Sequence, residues 1–212
     1  MKKIFLLLIV CSINLSAQWS SASVRLGYFV PGATSGGFII GYEGEHFFDE
    51  RVSFGWSIDW FHKNYVDENL ANSFNQYYGG VGGTINELRA KTNLHDLPIM
   101  IHLSVNFPVA PKTKAFLTGG VGAEALLINY SNFENPDQSE FKAAFDFNWR
   151  IGAGALYEIG SRSDILLELD YHSSNPSWQF DVTDPNTGIK RTFERSFDMS
   201  GIILRAGIRF FF

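Results

Sequence analysis

SGIILRAGIRFFF, Ser200 to Phe212, closes the chain. Read with a period of two, it puts Ser200, Ile202, Leu204, Ala206, Ile208, Phe210 and Phe212 on one face. Gly201, Ile203, Arg205, Gly207, Arg209 and Phe211 fall on the other. One face is almost wholly apolar, and the other holds both arginines between glycines. Three phenylalanines at a chain end are an aggregation hazard in water, where termini are mobile and exposed. Either apolar protein covers the rings, or the solvent around them is not water.

The same alternation recurs upstream. Over Phe145–Glu158 an apolar file (Phe145, Phe147, Trp149, Ile151, Tyr157) opposes Asp146, Asn148, Arg150, Gly152, Gly154 and Glu158. Ile165–His172 sets Ile165, Leu167, Leu169 and Tyr171 against Glu168, Asp170 and His172. Val52–Phe61 sets Phe54, Trp56, Ile58 and Trp60 against Ser53, Gly55, Ser57 and Asp59. Leu97–Phe107 and Phe116–Leu127 repeat the pattern with His102 and Glu124 on their polar sides. Val24–Val30 and Gly36–Glu45 follow more loosely, with Arg25 and Glu43 on theirs. With the final segment this makes eight strands.

A soluble antiparallel sandwich also alternates. Here, however, the polar files hold glycine and isolated charges of both signs, which suits a crowded closed interior rather than a solvated sheet. The apolar files carry Trp56, Trp60, Trp149, Tyr157, Tyr171, Phe210 and Phe212 near strand ends, as rings at the two interfaces of a membrane do. The expectation is an all-β, eight-stranded, antiparallel up-and-down transmembrane β-barrel. Compact turns at Phe48–Val52, Pro108–Lys114 and Gly160–Asp164 alternate with the longer stretches Lys63–Asn93 and Ser131–Lys142 and a tip at Asp184–Gly188. An even strand number then puts both termini and the compact turns on the periplasmic side, with the long loops outside.

The first residues have a separate task. Lys2 and Lys3 precede the short apolar run Ile4–Val10, and Leu15-Ser16-Ala17 ends in a small-x-small pattern. This reads as a secretory signal peptide over residues 1–17, leaving 18–212 as one barrel domain. The apolar run is too short to span a bilayer as a helix. Its Cys11 is the chain's single cysteine, so the mature protein has neither disulfide nor working thiol. A formal charge of −5, with no basic run beyond the leader, gives nucleic-acid binding no support. The composition, 16% aromatic with 20 glycines, suits turn-rich β-structure.

An eight-stranded barrel is just wide enough for its own side chains to fill it. Arg25, Glu43, Asp59, His102, Glu124, Asp146, Arg150, Glu168, Asp170, Arg205 and Arg209 are therefore expected inside, as paired Arg–carboxylate groups crossing the lumen. A narrow channel is the competing use of such an interior.

Leu94–Phe107 (LHDLPIMIHLSVNF), KAFLTGGVGAEALL, and FDFNWRIGAGALYEI followed by DILLELDYH together resemble the PorT-like outer-membrane β-barrel proteins of Bacteroidetes, and more broadly the small OmpA/OmpX-type barrels. That resemblance implies an outer-membrane location in a Gram-negative bacterium, export by the general secretory route and insertion by the barrel-assembly machinery, which in such proteins favours a terminal aromatic such as Phe212. It does not imply one activity. Lipid and lipopolysaccharide are the expected surroundings, and the barrel is expected to be monomeric. The outer loops, with Tyr65, Phe74, Tyr77 and Tyr78, are the candidate surface for a protein partner or for sugars.

One stretch supports an enzyme. YHSSN (Tyr171–Asn175), with PNTGI (Pro185–Ile189), looks like pieces of the outer-membrane lipid A deacylases. The resemblance would make His172 the base, Ser174 the nucleophile and Asn175 or Asn186 an oxyanion donor. Two departures oppose it. The family's acid position is Lys190, so that Glu194 is the nearest substitute, and the period of two turns His172 and Ser174 inward, away from lipid. Gly79–Gly83 reads as loop rather than phosphate cradle, and DPNTG as a turn lacking the further carboxylates of a calcium loop. The histidines show no zinc spacing, so neither metal nor cofactor is expected.

Overall fold

In a computed structural model of the chain, residues 20–66, 91–131, 139–183 and 190–212 are described, with side chains at 20–64, 93–129, 141–177 and 196–212. The leader expected at 1–17 lies outside them, as do Phe74, Tyr77 and Tyr78 and the side chains of Tyr65 and Glu194.

Among the described residues ten strands follow in chain order: β1 (Ser20–Pro31), β2 (Gly37–Phe47), β3 (Val52–Val66), β4 (Lys91–Ala110), β5 (Thr113–Ser131), β6 (Ser139–Gly160), β7 (Ser163–Ser173), β8 (Ser177–Thr183), β9 (Lys190–Ser196) and β10 (Gly201–Phe211). Eight of them close a barrel in the order β1-β10-β7-β6-β5-β4-β3-β2, each antiparallel to both neighbours. The closing pair is β1 with β10, in the register Ser21↔Phe211 and Ala22↔Phe210. Reciprocal backbone bonds between Ser20 and Phe212, 3.3 and 3.0 Å, complete it. The greasy terminus is thus the sealing strand. Closure also removes the free edges on which an open sheet aggregates.

β8 and β9 pair with each other alone. This hairpin stands where only a tip at Asp184–Gly188 was expected, and residues 184–189 lie outside the described residues. The barrel strands also run past their apolar alternation: β3 and β4 continue into the expected Lys63–Asn93 loop, and β6 begins at Ser139. Backbone pairing needs no apolar face, so it continues beyond the point where hydropathy stops marking it.

The compact turns share one end of the barrel. In the first, the Asp49 carboxylate accepts the backbone N–H groups of Arg51 and Val52, both at 2.7 Å. In the second, Lys112 takes a left-handed backbone, φ 63°.

Burial is inverted relative to a water-soluble fold. On β10, Arg205 is 2% exposed while Leu204 beside it is 50% exposed. The same holds strand by strand: Asp59 is buried beside the exposed Ile58 and Trp60, and Arg150 beside the exposed Trp149 and Ile151.

Candidate functional site

The glycine-rich files of the strands turn inward because that is where side chains crowd. A Cβ on Gly41 would collide with Asp59 Oδ1, and one on Gly55 would lie 2.5 Å from His102 Nε2. Bare backbone at these two positions lets the longer side chains of neighbouring strands lie across the lumen.

The middle of the lumen is a chain of ion pairs drawn from seven of the eight barrel strands. Asp59 on β3 accepts from Arg150 of β6 (Nη1, 2.6 Å) and from Arg205 of β10 (Nη1, 3.0 Å). Arg205 Nη2 also reaches Asp170 (2.8 Å) and Glu168 (3.0 Å) on β7. Glu168 accepts from Arg25 of β1 at 2.6 Å, and Arg25 pairs in turn with Glu43 of β2. Glu45 Oε2 lies 3.3 Å from Arg209 Nη2, while Ser53 donates to Glu45 Oε1 at 2.9 Å. His102 of β4 stands between the two glutamates, its Nε2 at 3.5 Å from Glu43 Oε2 and 4.0 Å from Glu45 Oε1.

The buried charges do not balance. Among the described residues, four buried arginines (Arg25, Arg150, Arg205, Arg209) face eight buried carboxylates (Glu43, Glu45, Asp59, Asp96, Glu124, Asp164, Glu168, Asp170). Glu45, Asp96 and Asp164 were not in the set expected from the sequence. Asp96 sits one residue before the segment whose alternation could be read, and Glu45 and Asp164 lie at strand ends where the pattern fades. Two expected members sit differently. Glu124 pairs with none of these arginines but holds His172 Nε2 (2.7 Å) and Ser174 Oγ (2.5 Å). Asp146 is half-buried and accepts the backbone N–H of Asn175 at 2.6 Å.

This corrects the deacylase arrangement. His172 and Ser174 both bond to Glu124 inside the barrel, both are buried, and Asn175 is engaged through its backbone. A nucleophile needs its base as partner and the substrate in reach. Here the serine hydroxyl donates its hydrogen bond to the Glu124 carboxylate rather than to His172, and Phe29 stacks edge-on to the His172 ring at 5.8 Å.

Above that pair, toward the long connections, the lumen becomes apolar. Phe29, Ile39, Phe61, Leu94, Leu126, Ile128, Ala144 and Ile203 form a plug with Phe197 and Met199. The last two come from the segment between β9 and β10, which continues the line of β10 between the ends of β7 and β1. It is pinned by bonds from Phe197 N to Pro176 O (2.9 Å), Met199 N to Ser174 O (3.1 Å) and Ala33 N to Asp198 O (2.7 Å). A polar, side-chain-filled lumen was expected. The strand period turns Phe61 inward with Asp59, but at this level the inward residues are apolar and some outward ones, such as Asn93 and His95 beside Leu94, are polar, so hydropathy no longer tells inside from outside.

At the turn end the lumen opens into a cavity of about 730 Å³ bordered by Asn106, Glu158, Asp164, Arg209 and Phe211. In the middle, among Arg25, Glu43, Ser57, His102, Glu168 and Arg205, the free space is about 10 Å³, about one water molecule's worth.

On the outside, Trp56, Trp60, Trp149, Tyr157, Tyr171, Phe210 and Phe212 are all exposed. Trp149 packs on Tyr171 (5.6 Å) near the end of β7, and Phe210 and Phe212 lie at the turn end. Trp56 differs from expectation: it lies across from Gly44 and Ile101, well inside the wall, and packs on Tyr42 at 5.6 Å.

A closed antiparallel eight-stranded barrel, apolar outside and charged within, is the fold of the small outer-membrane β-barrels. The chain resembles the outer membrane protein OprG from Pseudomonas aeruginosa, with a TM-score of 0.60 at 10% identity over 92% of this chain and 96% of that one. It likewise resembles Neisserial surface protein A (TM-score 0.56, 11% identity, 92% and 96% covered). A third match is a major outer membrane protein from Thermus thermophilus (0.56, 14%, 91% and 99%). At such identities the likeness is one of fold. No protein-family model and no curated protein matches the sequence.

Proposed function

We propose that this chain is an integral outer-membrane β-barrel of a Gram-negative bacterium, exported by the general secretory route, that acts as a non-enzymatic, non-conducting anchor. Its long-loop end, including the β8–β9 hairpin, serves structural, adhesion or accessory binding. One observation carries the membrane reading: adjacent residues of single strands bury their arginines and expose their leucines. In water that pattern forfeits the hydrophobic driving force and desolvates ions. In hydrocarbon it is what a spanning strand needs. The PorT-like segments support assignment to the barrel-inserted proteins of Bacteroidetes.

The filled interior supports anchor over channel, since among the described residues the mid-lumen pocket measures about 10 Å³ and an apolar plug lies between it and the long-connection end. Purified barrel in planar bilayers is expected to show no stepwise conductance, and regular ion-selective steps would overturn the non-conducting reading. Leu204→Arg tests the lipid contact directly. On the lipid face near mid-height it should cost about 2–4 kcal/mol in vesicles, whereas a surface change in water costs little. Ser174→Ala should leave lipid A acylation in the host unchanged. Capture of a defined partner from native outer membranes, lost when the β8–β9 hairpin is deleted, would establish the binding role.

A further inference from the structure

We propose that Glu43, Glu45 and His102 form a lumenal binding site for one divalent transition-metal cation of the zinc type. The three ligand atoms lie within 4.8 Å of one another on adjoining walls of the lumen, and all three residues are buried. His102 is 7% exposed, and its Nε2 has no hydrogen-bond partner although it points at two carboxylate oxygens. An imidazolium paired with either glutamate would close to about 2.8 Å. The actual separations, 3.5 Å to Glu43 Oε2 and 4.0 Å to Glu45 Oε1, leave a gap. Bonds of about 2.0–2.2 Å to a tetrahedral zinc ion place ligand atoms roughly 3.3–3.5 Å apart, so the gap is ion-sized after a small contraction. One nitrogen and two oxygen donors suit zinc, whereas an all-oxygen set would suit magnesium or calcium.

The surroundings fit the same use. Arg25 holds the far oxygen of Glu43, and Arg209 with Ser21 holds the far oxygen of Glu45, which turns the near oxygens toward the imidazole. Gly55 gives His102 its place, since a Cβ there would meet the ring at 2.5 Å. The free space of about 10 Å³ bordered by Glu43 and His102 accommodates a water as fourth ligand. Four arginines face eight buried carboxyl groups in the described lumen, so the acidic groups outnumber the arginines that can pair with them. Entry is from the turn end, where Arg209 both borders the open cavity and contacts Glu45. The set escapes a sequence search because His102 lies on a strand far along the chain from the two glutamates, with no local spacing to mark it.

Zn²⁺ titrated calorimetrically into the folded full-length mature barrel in detergent should bind one ion per chain, with Mg²⁺ binding at least tenfold more weakly. His102→Gln and Glu45→Gln should each weaken Zn²⁺ binding tenfold or more. The double change His62→Gln with His95→Gln, which removes the stacked histidine pair outside the barrel, should leave binding unchanged. X-ray absorption of the zinc-loaded wild-type barrel needs no variant and should show one imidazole with oxygen ligands. Absence of Zn²⁺ binding, a shell of two imidazoles, or binding lost with the outer pair and kept in His102→Gln would each overturn the proposal.

Discussion

Two layers of one lumen are held together by different physics. In the middle, Asp59, Arg205, Glu168 and Arg25 form a directional network in which each group satisfies two others. Toward the long connections, Phe29, Phe61, Leu94, Leu126 and Met199 fill the same cross-section by shape alone. A buried ion network tolerates little displacement, because a guanidinium without its carboxylate is a charge stranded in a low-dielectric interior. An apolar plug loses only transfer and packing energy, in proportion to what is removed. The charged layer therefore ties strands to one register, and the plug fills the long-connection end of the barrel and packs Phe197 and Met199 of the segment that leads into β10.

The largest expected effect breaks the charged layer. Asp59→Ala strands Arg150 and takes from Arg205 one of its three carboxylate partners, and should destabilise the barrel by about 3–5 kcal/mol in urea unfolding from lipid vesicles. Adding Arg205→Leu should cost less than the sum of the two single changes, with a coupling of about 1–3 kcal/mol. Strict additivity would show that the network is a set of independent contacts. Met199→Ala tests the plug. It should cost roughly 2–5 kcal/mol, and its effect should add to that of Asp59→Ala, since Met199 belongs to the apolar cluster and to no ion pair. A coupling between Met199→Ala and Asp59→Ala as large as that between Asp59 and Arg205 would erase the distinction between the layers.

The contrast also explains what the sequence made legible. Where one face is charged and the other apolar, as over Val52–Trp60 or Leu204–Phe210, a period of two states both the strand and its inside. At Phe61, Leu94 and Ile128 the interior itself is apolar, and beside Leu94 the flanking Asn93 and His95 are polar, so the apolar file no longer marks the outer face although the strand continues. The β8–β9 hairpin had a readable tip but no barrel partner to give its faces meaning. The individual pairings of the lumen were out of reach for a further reason. Asp59 meets Arg150 and Arg205 only through closure of the barrel, and nothing local in the chain encodes which inward charge will lie opposite which. Glu124 shows the consequence: it took the expected inward position and then paired with His172 and Ser174 instead of an arginine.

The smallest expected effect lies outside both layers and calibrates them. Asp49 is fully exposed in the first compact turn, and the N–H groups of Arg51 and Val52 hold its carboxyl below the usual carboxylate range. A group whose folded pKa is depressed stabilises the fold above its unfolded value, about 3.9, and that contribution fades as pH falls through the folded value. Asp49→Ala should thus lower the urea midpoint slightly at pH 7, and the difference from the parent chain should be smaller at pH 3. Because the lumen carboxylates are common to both chains, their own titration cancels in the difference. An Asp49→Ala effect of equal size at both pH values would mean that the turn is held by its backbone conformation rather than by the charged acceptor. An effect as large as that of Met199→Ala would mean that stability in this barrel is set at the turns, and the two lumen layers would lose their claim to hold it.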